Sequence, residues 1–90
     1  MTVTTYVRHT CADYDAWRAG YDGLDEWQTR NGVIAKSVHR SPDNGNDVLV
    51  VHQFASLADV EAFMSNAELR ANMEKAGVVG APRIEVFEDA

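Results

Sequence analysis

His52 is the residue of this 90-residue chain best suited to proton transfer. An unperturbed imidazole titrates near neutral pH and can accept a proton from a phenol or an acidic C–H. In the segment DVLVVHQF it alternates with Val48, Val50 and Phe54, an otherwise apolar series. The preceding segment, VIAKSVHR, offers Ala35, Ser37 and His39 in the same alternation. Asn44-Gly45 lies between the two segments and is the preferred pair for a two-residue type I′ turn, which would set Ser37 opposite His52 and His39 opposite Val50. Small and polar residues around an ionisable one leave room that a pure core would fill with Leu or Ile. His52 is therefore the expected catalytic residue, with Ser37, His39 and Phe54 around the ligand. The competing reading is structural, with His52 bonded only to Ser37 or to a water.

Tyr14, Trp17, Tyr21, Leu24 and Trp27 follow at helical spacing and lie along one helical face. Such a stripe can simply be core. Trp17 and Tyr21 are the expected ligand contacts within it, Trp17 as a wall and Tyr21 through a phenol that can hydrogen-bond a ligand. His9 and Cys11 fall on one strand face, but a third metal ligand is missing and the three histidines fall at different ends of the expected sheet. No glycine-rich phosphate loop, nucleophile elbow or CxxC is present. No metal and no cofactor is expected.

These residues need elements to hold them. Residues 2–10, 33–41, 47–55 and 83–88 read as strands, rich in β-branched and aromatic types or alternating in polarity. Asp13 offers an N-cap for a helix that Asn31-Gly32 stops. Ser56 with Asp59, and Ser65 with Glu68, resemble capping boxes of a second, restarted helical stretch that Gly77 ends, with Val78 to Pro82 as a loop. The order β-α-β-β-α-β over residues 1–90 predicts a single α+β domain. Its expected form is a ferredoxin-like sandwich with a four-stranded antiparallel sheet, order 4-1-3-2, and helices on one face.

Helices on one face leave the other sheet face bare. The expected register places Ile34, Val38, Leu49 and Val51 there, with Lys36, Arg40 and Gln53. A contiguous apolar patch of this kind is rare on monomers, so a homodimer formed by two facing sheets is expected. Covering about 300 Å² of such side chains favours association by roughly 7 kcal/mol before association entropy. Tyr6 and Arg8 would join that interface. The net charge of −6 disfavours nucleic acid and anionic membrane surfaces as partners. No apolar run spans a bilayer and no leader opens the chain, so a cytoplasmic location is expected.

The opening TYVRHTCADYDAW, the hairpin segment HRSPDNGNDVLVVHQF and the stretch SLADVEAFMSNAELRANM resemble the dimeric α+β barrel superfamily. Within it the similarity is to antibiotic-biosynthesis-monooxygenase-like proteins, notably small actinomycete members. The resemblance implies a homodimer with a small-molecule pocket between the helices and the sheet. It also implies a cofactor-independent monooxygenase-, isomerase- or cyclase-like enzyme acting on a small aromatic or polyketide-like molecule. A non-catalytic dimer that binds a metabolite is the alternative. The superfamily's haem degraders carry a strand asparagine, a tryptophan closing the third strand and a helix histidine. Here strand one lacks an asparagine, Phe54 stands at the tryptophan position, and Asn72 stands at or near that of the histidine, so haem chemistry is not implied.

Overall fold

β-Branched residues stiffen the opening strand, β1 (Val3–Cys11), in the computed structural model, which describes residues 1–90. Asp13 accepts a hydrogen bond from the Ala16 N–H at 3.2 Å and starts α1 (Tyr14–Asp22). Gly23 ends that helix, and α2 (Asp25–Arg30) follows as a separate short piece, so the aromatic stripe is shared between two helices. Two glycines in one turn explain the break, because each lowers helix stability by about 1 kcal/mol against alanine. Gly32, with φ of +102°, turns the chain into β2 (Val33–Arg40).

β3 (Asp47–Phe54) leads to α3 (Leu57–Met64), whose N-cap Ser56 accepts from the Asp59 N–H. The next helix, α4 (Ala67–Lys75), is capped by Asn66 and not by Ser65, whose hydroxyl donates back to the Glu61 carbonyl. β4 (Val78–Glu88) begins where a loop was expected. Val78 and Val79 already pair with Cys11 and Thr10, and Gly80 to Pro82 form an irregularity within the strand. The sheet is antiparallel throughout in the order β2-β3-β1-β4, the expected order read from the other edge. No helix is long and apolar enough to cross a membrane.

The hairpin register departs from expectation by one residue, and this inverts β2. Lys36 stands opposite His52, Ser37 opposite Val51, and His39 opposite Leu49. The Asn44 side chain accepts from the Asn46 N–H, and the Asn44 carbonyl accepts from the Asp47 N–H. The Ser41 N–H donates to the Asp47 carbonyl, so the hairpin closes around the five residues 42–46, an odd number where a two-residue turn on Asn44-Gly45 implies an even one, and Gly45 has no positive φ. Arg8 grips the Asp47 carboxylate with two hydrogen bonds, 2.6 and 3.0 Å, and holds the hairpin in place. A slip of one residue moves every side chain to the other face. Lys36, Val38 and Arg40 consequently face the helices, where the Arg40 guanidinium lies 3.8 Å from the Tyr14 ring centre. A second irregularity near Ile34 lets Val33 still point inward against Phe54.

The core divides into two clusters. Val3, Val33, Phe54, Val60 and Phe63 form one; Cys11, Trp17, Tyr21, Val48 and Val50 form the other. His52 joins them, edge-on to Phe63 at 5.8 Å between ring centres and stacked beside Tyr21 at 6.0 Å. On the bare face, Tyr6 and Phe87 pack edge to face at 5.7 Å in the neighbourhood of Leu49 and Val51, so the expected apolar patch exists without Val38.

Candidate functional site

Between the helices and the sheet lies a cavity of about 90 Å³, several times the space one water requires. Its wall is mostly apolar, with Trp17, Trp27, Phe63 and Met73 prominent, and its polar members are His9, Tyr21, Gln28, His52 and Asn72. A surface groove between α4 and β4 shares Met64, Leu69, Met73, Val78 and Ile84 with the cavity, which marks the side where it opens. No residue of α4 is fully buried, so this side is also the least firmly packed.

The phenol oxygen of Tyr21 lies 2.8 Å from Nε2 of His52, and both residues are buried. Strand alternation turns His52 inward between Val50 and Phe54, and helical spacing brings Tyr21 over it one turn after Trp17. Burial pushes the His52 pKa down to about 4, and the charge of Lys36 acts in the same direction, so the ring is neutral at pH 7. Burial raises the Tyr21 pKa to about 12 and keeps the phenol protonated.

A polar chain continues behind the pair. Lys36 Nζ donates to Gln28 Oε1 at 2.7 Å and to the Asp25 carboxylate at 2.5 Å, and lies 5.3 Å from the Tyr21 ring centre. Lys36 thereby holds the oxygen of the buried Gln28 amide, and Gln28 acts to lower the Tyr21 pKa against the larger effect of burial. With the phenol protonated and the imidazole neutral, Tyr21 donates to His52 Nε2.

His9 lines the cavity some way along β1, with its ring 5.2 Å from Trp17. Burial lowers its pKa, against smaller opposing effects of the Thr10 backbone and Asp47. Its Nδ1 is buried and has no hydrogen-bond partner. No three His, Cys, Asp or Glu side chains are grouped closely enough to hold a metal ion. Cys11 is buried in the second core cluster.

Of the expected site residues, His52, Tyr21 and Trp17 come together at the cavity. Phe54 is fully buried behind His52, at 6.3 Å between ring centres, and supports the imidazole without lining the cavity. Ser37 and His39 lie on the opposite face of the sheet, where the Ser37 hydroxyl bonds His39 Nε2 at 2.9 Å. The inverted β2 register accounts for both. Lys36, Gln28 and His9 took no part in the expected site. Gln28 could have been found, since it continues the series Trp17, Tyr21 and Leu24 at helical spacing. Lys36 depended wholly on the register.

A four-stranded antiparallel sheet with helices on one side and an apolar cavity beneath them defines a class of small α+β proteins. The chain belongs to the antibiotic biosynthesis monooxygenase family, whose model matches residues 2–75. It is similar in fold to a candidate antibiotic biosynthesis monooxygenase of Bordetella bronchiseptica, with a TM-score of 0.84 and 12% identity, covering 99% of this chain and 97% of that one. SnoaB of Streptomyces nogalater, a cofactor-independent oxygenase, gives a TM-score of 0.81 at 12% identity and covers 99% and 93% of the two chains. A further candidate family member, from Caulobacter crescentus, gives 0.80 at 16% identity, covering 99% and 90%. Among curated proteins none matches the chain.

Proposed function

We propose that this protein is a cofactor-independent oxygenase that acts, as a homodimer, on a small hydroxylated aromatic molecule held in the cavity. The observation that carries the reading is the buried Tyr21–His52 pair, 2.8 Å apart, at a mostly apolar wall. A substrate hydroxyl placed against the Tyr21 oxygen gives up its proton to that oxygen while Tyr21 passes its own to His52 Nε2. The phenolate so formed is electron-rich and binds O₂ at a ring carbon through a new C–O bond. The resulting peroxide takes a proton and the carbon loses its hydrogen. Cleavage of the O–O bond then leaves one oxygen on the ring as a carbonyl and releases the other as water.

The low basicity of His52 limits this chemistry. An imidazole with a pKa of about 4 takes a proton from a phenol only if the charges stay paired in the cavity, because a neighbouring anion favours the imidazolium. The same low basicity favours a second reading, in which the dimer binds its aromatic ligand without turnover. Oxygen uptake decides between them. With 1,4-dihydroxynaphthalene or an anthrone, enzyme-dependent O₂ consumption that falls at least about 100-fold in His52→Ala supports the oxygenase, as expected for loss of a proton acceptor. Binding with no uptake above the spontaneous rate supports the non-catalytic dimer.

A further inference from the structure

We infer that α4 is a lid over the cavity, and that it opens by melting as one unit between Asn66 and Gly77 while the rest of the fold stays closed. The lid governs access to the site proposed above and rests on that reading only for what enters.

The first observation is how little holds the helix. No residue of α4 is fully buried, and no side chain of Ala67–Lys75 makes a hydrogen bond or an ion pair with another element. α3 differs: it buries Val60 and Phe63, and Phe63 packs against Trp27 and His52 at 5.5 and 5.8 Å between ring centres. A helix of nine residues is too short to persist in water by itself, so α4 keeps its form only while its inner face is packed.

The second observation is that both ends are fixed. The Asn66 side-chain amide donates to the Asn31 side-chain oxygen at 3.3 Å, and Asn66 caps the helix by accepting from the Glu68 N–H. At the other end the Ala12 N–H donates to the Gly77 carbonyl at 3.0 Å. Ala76 lies against Gly20, where an added Cβ would stand 3.5 Å from that of Ala76. Gly77, with φ of +83°, turns the chain sharply out of the helix. The segment between these anchors can loosen without pulling on α3 or β4.

The third is what the segment covers. Leu69 and Met73 line the cavity and also the outer groove, so a layer of α4 side chains stands between the two. Beyond it the helix-facing flank of β4 is already half open, with Ile84 46% and Val86 43% exposed. The cavity holds about 90 Å³, less than the roughly 150 Å³ that takes one benzene ring. A ring-sized guest therefore requires the wall to move, and α4 is the element that uncovers no fully buried residue of its own when it does.

Thiol labelling and hydrogen exchange test this without a ligand. In a Cys11→Ala background, Val50→Cys puts a thiol in the cavity wall, and Val48→Cys puts one on the same face of β3, also buried but outside the cavity. Under native conditions a water-soluble aromatic disulfide should label Val50→Cys at least about tenfold faster than Val48→Cys, because local opening reaches only the first. In wild type the α4 amides should exchange together, at least about tenfold faster than those of α3. Asn66→Ala removes the cap and the tie to Asn31, and should speed α4 exchange and Val50→Cys labelling by about fivefold while leaving Val48→Cys unchanged. Equal labelling of the two thiols, α4 amides protected as well as those of α3, or an effect of Asn66→Ala that Val48→Cys shares overturns the lid. Should a cysteine variant not fold, exchange in wild type decides alone, and α4 amides as slow as those of α3 refute the proposal. If the lid passes these tests but 2-naphthol slows neither α4 exchange nor Val50→Cys labelling, the aromatic reading of the site falls and the lid stands.

Discussion

Lys36 and His52 stand directly opposite each other across the β2–β3 ladder, both turned toward the helices. A cation facing a buried imidazole penalises the protonated ring, which burial already disfavours. The lysine ammonium donates hydrogen bonds to Gln28 and Asp25 near the rim. The site is therefore built around a histidine kept neutral and a phenol kept protonated.

The first prediction is a titration. The His52 ring signals should show a midpoint near pH 4 by NMR, and Lys36→Met should move it upward. His52 is protonated more readily in the unfolded chain, near the ordinary 6.5, than in the fold. Above that value both states are neutral and nothing is lost. As pH falls from about 6.5 to 4, folding must hold an imidazole that the unfolded chain would protonate, and stability drops by about 3 kcal/mol. A midpoint above 6 in wild type, or no change in Lys36→Met, refutes the description of the site.

Removing one oxygen tests the pair itself. Tyr21→Phe keeps the ring against Trp17 but leaves His52 Nε2 without its partner, and should cost about 1–3 kcal/mol in urea denaturation. His52→Phe removes the polar demand along with the bond and should cost less if the larger ring is accommodated. A Tyr21→Phe protein as stable as wild type, with the His52 titration unmoved, shows that the hydrogen bond carries no weight.

Element types, sheet order and the inward face of β3 were legible because they rest on patterns repeated many times along the chain. Val48, Val50, His52 and Phe54 share a face whatever the turn does, and Trp17 and Tyr21 share one whatever ends their helix. The face of β2 rested on a single local feature, the Asn44-Gly45 pair. The hairpin closes around five residues, 42–46, with the Asn46 N–H bonded to the Asn44 side chain and Arg8 holding Asp47, and this odd-length connection exchanges the faces of β2. Ser37 and His39 left the site and Lys36 entered it for that reason alone. The start of β4 was hidden differently, since Gly80 and Pro82 read as loop residues when they mark an irregularity inside a strand.

The bare sheet face should bring two chains together. Tyr6, Leu49, Val51 and Phe87 cluster on it, and Phe87 is 56% exposed in the single chain. Val51→Glu would bury an unpaired carboxylate in that interface, so it should yield a monomer or an insoluble protein, while wild type sediments as a dimer. Wild type sedimenting as a 10.0 kDa species at micromolar concentration disproves this interface.

The register of β2 can be tested without a crystal. Val38 packs against the second core cluster, and Ser37 lies on the bare face bonded only to His39. Val38→Ala should therefore destabilise by about 1 kcal/mol or somewhat more, since methyl groups half buried against that cluster are lost. Ser37→Ala should fall within about 0.5 kcal/mol of wild type, because an exposed hydroxyl gives up little. The register that a type I′ turn would impose exchanges the two residues. Ser37→Ala would then disturb a buried hydroxyl beside His52, and Val38→Ala would weaken dimerisation without lowering the stability of the single chain. Chemical denaturation of both variants across a range of protein concentrations separates the cases. A loss in Val38→Ala that is independent of concentration supports Lys36 opposite His52, and one that vanishes at high concentration returns Ser37 to the site.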